Sequence, residues 1–496
     1  MKYNLQDIID RYKQALSKRQ NWESYWQECY SYAFPQKQNL SFCSFDNGVK
    51  NNFHLFDGTA PDAVEQLASS LLAELTPPWA KWFGLKAGQH LTQTEQTELA
   101  PFLEKTSDII LQNFEHSNFA IEVHQCYLDL ITAGTACLMF EEAPLGQTSA
   151  FNFYSVPLSE IVFEEGATGK LDVTFRSSQL NYGGLKNRFA NAQIPDAIIA
   201  KFNNDSDYKL RVIEFVEPVI EGGGYRYIAF ALEDNLNSCG AFVLKEGVFE
   251  TSPFINFRWL KAPGEIYGRS PVMKALPDIK TANKVVELIL KNASIAVTGI
   301  WQADDDGILN PSNIKLVPGA IIPKAVGSKG LTPLEAPGKF DVSQLVLENL
   351  QNRIKHALLS DRLGQINTPG MTATEVLERS AQMARILGAT FGRLQSELLT
   401  PLIKRAILIL RRRAEILNFD LDGKTVDLQY KSPLALVQAR EDINNVSEWI
   451  LQLSKLGQEG LNHVDFGAAS QWLAKTLNVP VNLISSRGEK SNDARI

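Results

Sequence analysis

The stretch GQINTPGMTATEVLERSAQMARILGATFGRLQSELLTPLIKR, residues 364–405, decides how the chain is organised. Residues 364–371 have loop composition: Gly364, Asn367, Thr368, Pro369 and Gly370 all favour turns, and no side chain in the stretch is charged. Thr372 and Glu375 then stand at capping-box spacing and open a long helix that the apolar pattern carries to about Leu417, interrupted by Pro401. Upstream, Val346, Leu350, Ile354 and Leu358 form the stripe of a helix over 341–363. The loop is therefore pinned between two long helices.

Farther upstream, Ser270 caps a helix with Pro271 in its first position; Val272, Leu276, Ile279, Val286 and Ile289 give it one apolar face through residue 294. Pro277 is expected to bend its early turns. Between these helices, residues 295–335 read as short strands and turns broken by Pro311, Pro318, Gly319 and Pro323. Two helices thus embrace a small β insertion.

The N-terminal half reads as an α+β body. Leu5, Ile8, Ile9, Tyr12, Leu16, Trp22, Tyr25 and Trp26 predict a docking helix over residues 1–35, stopped by Pro35. A Phe- and Asn-rich arm over residues 39–58 leads to an Ala/Leu helix at 60–75, and a further helical stretch covers 94–134. Alternating strands such as FNFYSVP and KLDVTFR follow through residue 258, among them a hairpin turning at Gly222-Gly223-Gly224. Beyond the long helix come one strand, TVDLQYK, helices at 433–456 and 461–476, and a polar tail over 481–496 expected to be disordered. The fold class expected is α+β, mainly α-helical.

Composition limits the function. A chain of 496 residues with 44% apolar and 21% charged residues folds, and its length suits roughly three domain-sized units. A net charge of −7, from 49 basic and 56 acidic residues, does not announce a protein that grips phosphate, although a conduit that lets duplex slide must also avoid gripping it. The cysteines, Cys29, Cys43, Cys126, Cys137 and Cys239, are scattered without a C-x-x-C pair, which points to neither a disulfide framework nor zinc. No window approaches the ~18 apolar residues of a membrane span, and the N-terminus has no signal-peptide core.

Catalytic chemistry finds no anchor. The histidines, His54, His90, His116, His124, His356 and His463, lack H-E-x-x-H spacing. Gly268-Arg269-Ser270-Pro271-Val272 carries Val272 where a nucleophile elbow needs its second glycine, so Ser270 is read as a helix cap. Asp304-Asp305-Asp306-Gly307 hints at a calcium loop, but Gln302 occupies the first ligand position and no glutamate closes it; a solvated turn is the better reading. The absence of G-x-x-x-x-G-K-[ST] removes P-loop hydrolysis. Lys404, Arg405, Arg411, Arg412 and Arg413 form the densest basic cluster, read first as a solvated or inter-subunit face and second as a DNA contact. No cofactor and no metal are expected.

Three stretches together resemble the head-to-tail connector, or portal, proteins of short-tailed, podovirus-type phages. They are LFDGTAPDAVEQLASSLLAELTPPWAKWFGL at 55–85, YGRSPVMKALPDIKTANK from Tyr267 and GMTATEVLERSAQMARILGATFGRLQSELLTPLIKR from Gly370; with the order of elements between them, the resemblance spans roughly residues 1–480. It implies a ring of about twelve copies at one capsid vertex. Residues 1–269 would be the wing, 270–294 and 341–363 the stem helices and 295–335 the clip that meets the terminase and later the tail adaptor. In the clip, Asp304, Asp305, Asp306, Asn310 and Asn313 would be docking residues.

The tunnel loop would be 364–371, with Gln365, Ile366, Asn367, Thr368, Pro369, Gly370 and Met371 facing DNA; the long helix would be 372–417 and the C-terminal wing and crown 418–480. Because that loop is uncharged, steric gating is expected over charge gating. The other implied partners are the large terminase subunit, major capsid and scaffolding proteins, and double-stranded DNA passing non-specifically, with no membrane. The setting implied is the virion, with assembly in the host cytoplasm. Two other readings are weighed against this one. A metal-dependent nucleic-acid-processing enzyme would need clustered acidic ligands that this chain disperses. Another virion structural protein would not need the helix, β insert, helix, loop, long helix order.

Overall fold

The computed structural model describes residues 4–37, 55–78, 80–88, 90–166, 169–205, 207–219, 223–232, 240–298, 301–303, 331–333, 340–360, 388, 390–417, 419, 425–430, 443, 446–455, 464 and 466–476. The first helix, α1 (Leu5–Ala33), begins where the Asn4 side chain accepts the Gln6 amide. It serves two cores. Ile8, Ile9, Tyr12 and Ala15 pack on one face of a sheet against Val162, Phe175, Ile213 and Phe230, whereas Trp26, Cys29, Tyr30 and Ala33 enter the main core. Arg19 lies between the two, 2% exposed, and donates to the carbonyls of Ser159 and Ile161 while pairing with Glu23. A buried guanidinium is tolerated because its donors meet carbonyls and a carboxylate.

The main core is built around α2 (Thr59–Leu75), α3 (Gln93–Glu115) and α4 (Phe119–Ala133). The helical stretch expected over 94–134 is two helices, and the break has a tertiary cause. Asn118 exchanges hydrogen bonds with the Phe153 backbone in both directions, 2.8 and 3.0 Å, and Ser117 Oγ accepts the Phe119 amide; these side chains compete with the helical ladder and restart it. A capping box between Thr92 and Glu95 starts α3.

Two antiparallel sheets follow. The first has the order β3-β2-β9, with β2 (Thr135–Glu142) between β3 (Phe151–Val156) and β9 (Phe254–Arg258). The second is a meander of β4 (Ile161–Glu164), β5 (Val173–Leu180), β6 (Leu210–Pro218), β7 (Tyr225–Leu232) and β8 (Phe242–Phe249). The expected β6–β7 hairpin is present: Val219 donates to the Gly224 carbonyl, and Gly223 and Gly224 take positive φ values of 73° and 91°. Short helices α5 (Tyr182–Arg188) and α6 (Asp196–Asn204) sit between β5 and β6. A distant pairing joins β1 (Phe83–Ala87) to β12 (Val426–Tyr430), so the TVDLQYK strand returns to the N-terminal half.

Two long helices extend from this body. Ser270 caps α7 (Pro271–Thr298) as expected: its Oγ accepts the Met273 amide at 2.8 Å and donates to the Thr132 carbonyl at 2.9 Å. The partner is α8 (Phe340–Ala357). They run antiparallel, as the Asp278–Arg353 ion pair and the common contact of Asn283 and Gln351 with the 56–57 turn require. Ile279, Ala282, Leu350, Ile354 and Leu358 are buried along the body side of the pair. At its outer end, β10 (Trp301–Ala303) and β11 (Leu331–Pro333) pair antiparallel, which places a β element between the helices.

The long helix is not uniform. It runs through a π turn at Gln395–Leu399 into α9 (Thr400–Arg412), ending five residues earlier than the apolar pattern predicts, where Ala414 takes a positive φ of 58°. The π turn answers Pro401, which has no N–H to give the Glu397 carbonyl; the Thr400 amide bonds Gln395 instead. Near the C-terminus, residues 446–455 and α10 (Phe466–Thr476) are helical. The tail at 481–496 lies outside the described residues.

Candidate functional site

Three places on this scaffold bear on function: the outer surface of the α7–α8 pair, the root of that pair, and the region where the π turn and α9 meet the first sheet.

The helix pair exposes apolar side chains that the body does not cover. Leu288 and Leu290 on α7 are 50% and 53% exposed, and Leu345 and Val346 on α8 are 70% and 45% exposed. At about 100° per residue, Leu288 and Leu290 lie on different sides of α7, so apolar surface flanks the pair on more than one face. Lys284, Glu287 and Lys291 form a charged ladder beside it, and hydrogen bonds from Lys291 and Lys284 hold the Glu287 carboxyl down at about 2.

At the root, Asn283 on α7 accepts the backbone amides of Phe56 and Asp57 at 2.6 and 3.1 Å. The Asp57 carboxylate in turn accepts from Gln351 on α8 at 3.2 Å and from the Thr59 hydroxyl at 2.8 Å. Asp57 and Asn283 are both buried. One turn of the Asp57-Gly58-Thr59 stretch therefore touches both helices and starts α2.

In the π turn, the Glu397 carboxylate accepts from the Arg258 guanidinium at 2.7 Å and from the Arg258 backbone amide at 3.0 Å, at the end of β9. Arg258 is 0% exposed and also donates to the carbonyls of Ile266 and Gly169. The basic cluster lies just beyond. Its most interior member is Arg405, 6% exposed, whose guanidinium donates to the carbonyls of Phe140 and Thr251; burial pushes it down to about 10. Arg411 pairs with Glu250, and Arg412 and Arg413 both pair with Glu142. Burial alone would raise the Glu142 carboxyl, but hydrogen bonds from Arg413 and Arg412 hold it below its ordinary value.

The expectation of a face thus fails for Arg405, because a buried side chain spent on internal carbonyls can reach neither DNA nor a neighbour. Lys404 is exposed, and Arg411 and Arg412 are partly or largely exposed but already carry carboxylate partners of the same chain. The expected loop residues Gln365, Ile366, Asn367, Thr368, Pro369, Gly370 and Met371 lie outside the described residues, as do Asp304, Asp305, Asp306, Asn310 and Asn313.

Among the described residues no group of His, Cys, Asp and Glu side chains gathers at metal-binding spacing, and no helix is long and apolar enough to cross a membrane. Cys29, Cys126 and Cys137 are buried free thiols; burial raises all of them, Cys29 and Cys126 to about 12, which leaves them unreactive.

The reading of the sequence missed Asp57, Asn283, Gln351, Arg258 and Glu397. Arg258 had a signal: it ends an otherwise inward apolar strand, FINFR, every residue of which is buried. Asn283 also had one, as a polar residue beside Ala282 on the buried side of α7.

Comparison with known proteins bears on the whole chain. Over 491 residues it is 24% identical to a probable portal protein of Bordetella phage BPP-1, covering 94% of this chain and 85% of that one. It is 22% identical to the portal protein of Salmonella phage epsilon15, covering 93% and 85%, and 21% identical to that of Enterobacteria phage T3, covering 91% and 83%. A chain from the virion of a native gene transfer agent particle aligns over 86% of this chain and 94% of its own at 12% identity, with a TM-score of 0.37. The family model for bacteriophage head to tail connecting proteins matches residues 5–484, and the chain belongs to that family.

Proposed function

We propose that about twelve copies of this chain close into a ring at one capsid vertex, enclosing a channel through which double-stranded DNA is packaged and later ejected. The observation that carries this reading is the family match, which runs through nearly every element from α1 to α10. The α7–α8 pair serves as the stem, and its exposed Leu288, Leu290, Leu345 and Val346 supply apolar surface for neighbours on both sides, as a heterologous ring contact needs. Residues 295–335 act as the clip, with Asp304, Asp305, Asp306, Asn310 and Asn313 docking first the large terminase subunit and then a tail adaptor. Major capsid and scaffolding proteins surround the ring in the virion, and assembly takes place in the host cytoplasm.

The role is structural rather than enzymatic. A conduit must not hold phosphate, and the pairing of Arg411 with Glu250 and of Arg412 and Arg413 with Glu142 supports this by holding these guanidiniums against carboxylates of the same chain. Purified protein should scatter light as a particle of about a dozen subunits and show a central channel in negative-stain images. A species that stays monomeric both alone and with scaffolding protein would overturn the ring.

Residues 364–371 are proposed as a tunnel loop that gates DNA by bulk rather than charge. Deleting residues 365–370 is expected to leave rings intact while packaging or retention of DNA falls. Normal packaging by that variant, measured as protected DNA per particle, would exclude the gate.

A further inference from the structure

We infer that the turn at residues 56–59 is a latch that fixes the register of α7 against α8 and the direction in which the helix pair leaves the body. The turn reaches each helix through a different group: backbone amides of Phe56 and Asp57 to Asn283, and the Asp57 carboxylate to Gln351. The same carboxylate oxygen holds the Thr59 hydroxyl and amide at 2.8 and 3.4 Å, which ties the latch to the first turn of α2. Because α2 is buried in the main core through Ala63, Val64, Leu67 and Leu71, the latch is anchored in that core.

The location gives the latch leverage. Buried apolar residues of α7 and α8 end at Ala282 and Leu350, partly buried Val285 and Leu347 pack just beyond them, and farther out exposed residues predominate on both helices. From Asn283 to Thr298, α7 extends roughly 22 Å at 1.5 Å per residue, so a small rotation at the root becomes a displacement of several ångströms at the outer end. The Asp278–Arg353 ion pair between the helices is largely solvent-exposed on the arginine side and adds little resistance. Buried Asp57 and Asn283 add to the apolar packing of Ile279, Ala282, Leu350 and Ile354. Their bonds are polar and directional, so they favour one register of the pair over its neighbours. Asp57 and Asn283 are positioning residues, and the latch stands whether or not subunits have joined into a ring.

Hydrogen exchange of the full-length protein tests it. Asp57→Ala should speed amide exchange about tenfold in residues 284–298 and 344–357, because the half-buried Gln351 amide and Thr59 hydroxyl lose their acceptor, while α4 and β5–β7 exchange as before. Asn283→Ala should accelerate the same two segments. Asp57→Asn, which keeps an acceptor oxygen in place, should restore most of the protection. Should Asp57→Ala fold poorly, Gln351→Ala removes only the half-buried partner and should still loosen 344–357 over the body. Unchanged exchange in both helices, or a rise shared equally by α4 and the sheet, would overturn the latch. The oligomeric state of the same samples, read by light scattering, reports separately on the ring.

Discussion

Alanine in place of Gly134 is expected to leave little soluble protein. Gly134 closes α4 with φ 81°, and its amide bonds the Leu130 carbonyl, the left-handed ending that glycine adopts without strain. A Cβ there would stand 2.7 Å from the carbonyl carbon of Gly268 and 2.8 Å from that of Arg269. Both obstacles are backbone and cannot swing aside. They are also tied in place: the Trp259 amide donates to the Gly134 carbonyl at 3.0 Å, and the Gly268 amide donates to Thr135 Oγ1 at 2.7 Å.

The left-handed conformation alone costs an alanine about 1–2 kcal/mol, and separating α4 from the start of α7 should raise the total to about 4 kcal/mol or more. That is a large share of the roughly 5–15 kcal/mol by which domains are stable. Gly268→Ala should behave alike, since its Cβ would meet the Gly134 carbonyl. Gly146→Ala is the control: its φ is 92° but nothing lies within 4 Å, so only the conformational cost of about 1–2 kcal/mol applies. Soluble yield and thermal melting of the three variants decide the matter. Equal melting temperatures for Gly134→Ala and Gly146→Ala would show that the glycine contact is not a constraint.

Local signals of this kind explain which parts of the fold were legible in the sequence. Ser270 followed by Pro271, the apolar stripe of 341–358 and the glycine-rich turn before β7 are short-range patterns, and each produced the expected element. The break at Ser117–Asn118 was not legible, because its cause is the Phe153 backbone, 35 residues away in sequence. The same holds for Arg405. Its position in a cationic run suggests a surface, whereas its environment comes from Phe140 and Thr251, which the chain brings up from far upstream. The stretch LFDGT was noticed as a motif, but its pairing with Asn283 and Gln351 links residues more than 200 positions apart, and no local period encodes that. Elements follow local chemistry; the latch and the buried ion pairs follow from tertiary packing.

Removal of the Glu397 carboxylate is the second change expected to act strongly. Arg258 is fully buried, and its partners besides Glu397 are two carbonyls and, at 3.8 Å, Glu165. Glu397→Ala leaves a guanidinium in the interior with its charge poorly balanced, and the cost of such a vacancy is about 3–5 kcal/mol. The backbone amide of Arg258 loses its acceptor as well. The carboxylate sits in a π turn imposed by Pro401, so the loss should be felt as loosening between β9 and the helix that carries α9. Chemical denaturation should show a markedly lower midpoint for Glu397→Ala, with Glu397→Gln between it and the parent. Paired replacement by Arg258→Met and Glu397→Leu should recover much of the loss, because attraction and desolvation nearly cancel in a buried pair and the single vacancy is what hurts. A double variant no more stable than Glu397→Ala would mean instead that Arg258 is held chiefly by Ile266 and Gly169, and that the π turn owes its place to Pro401 alone.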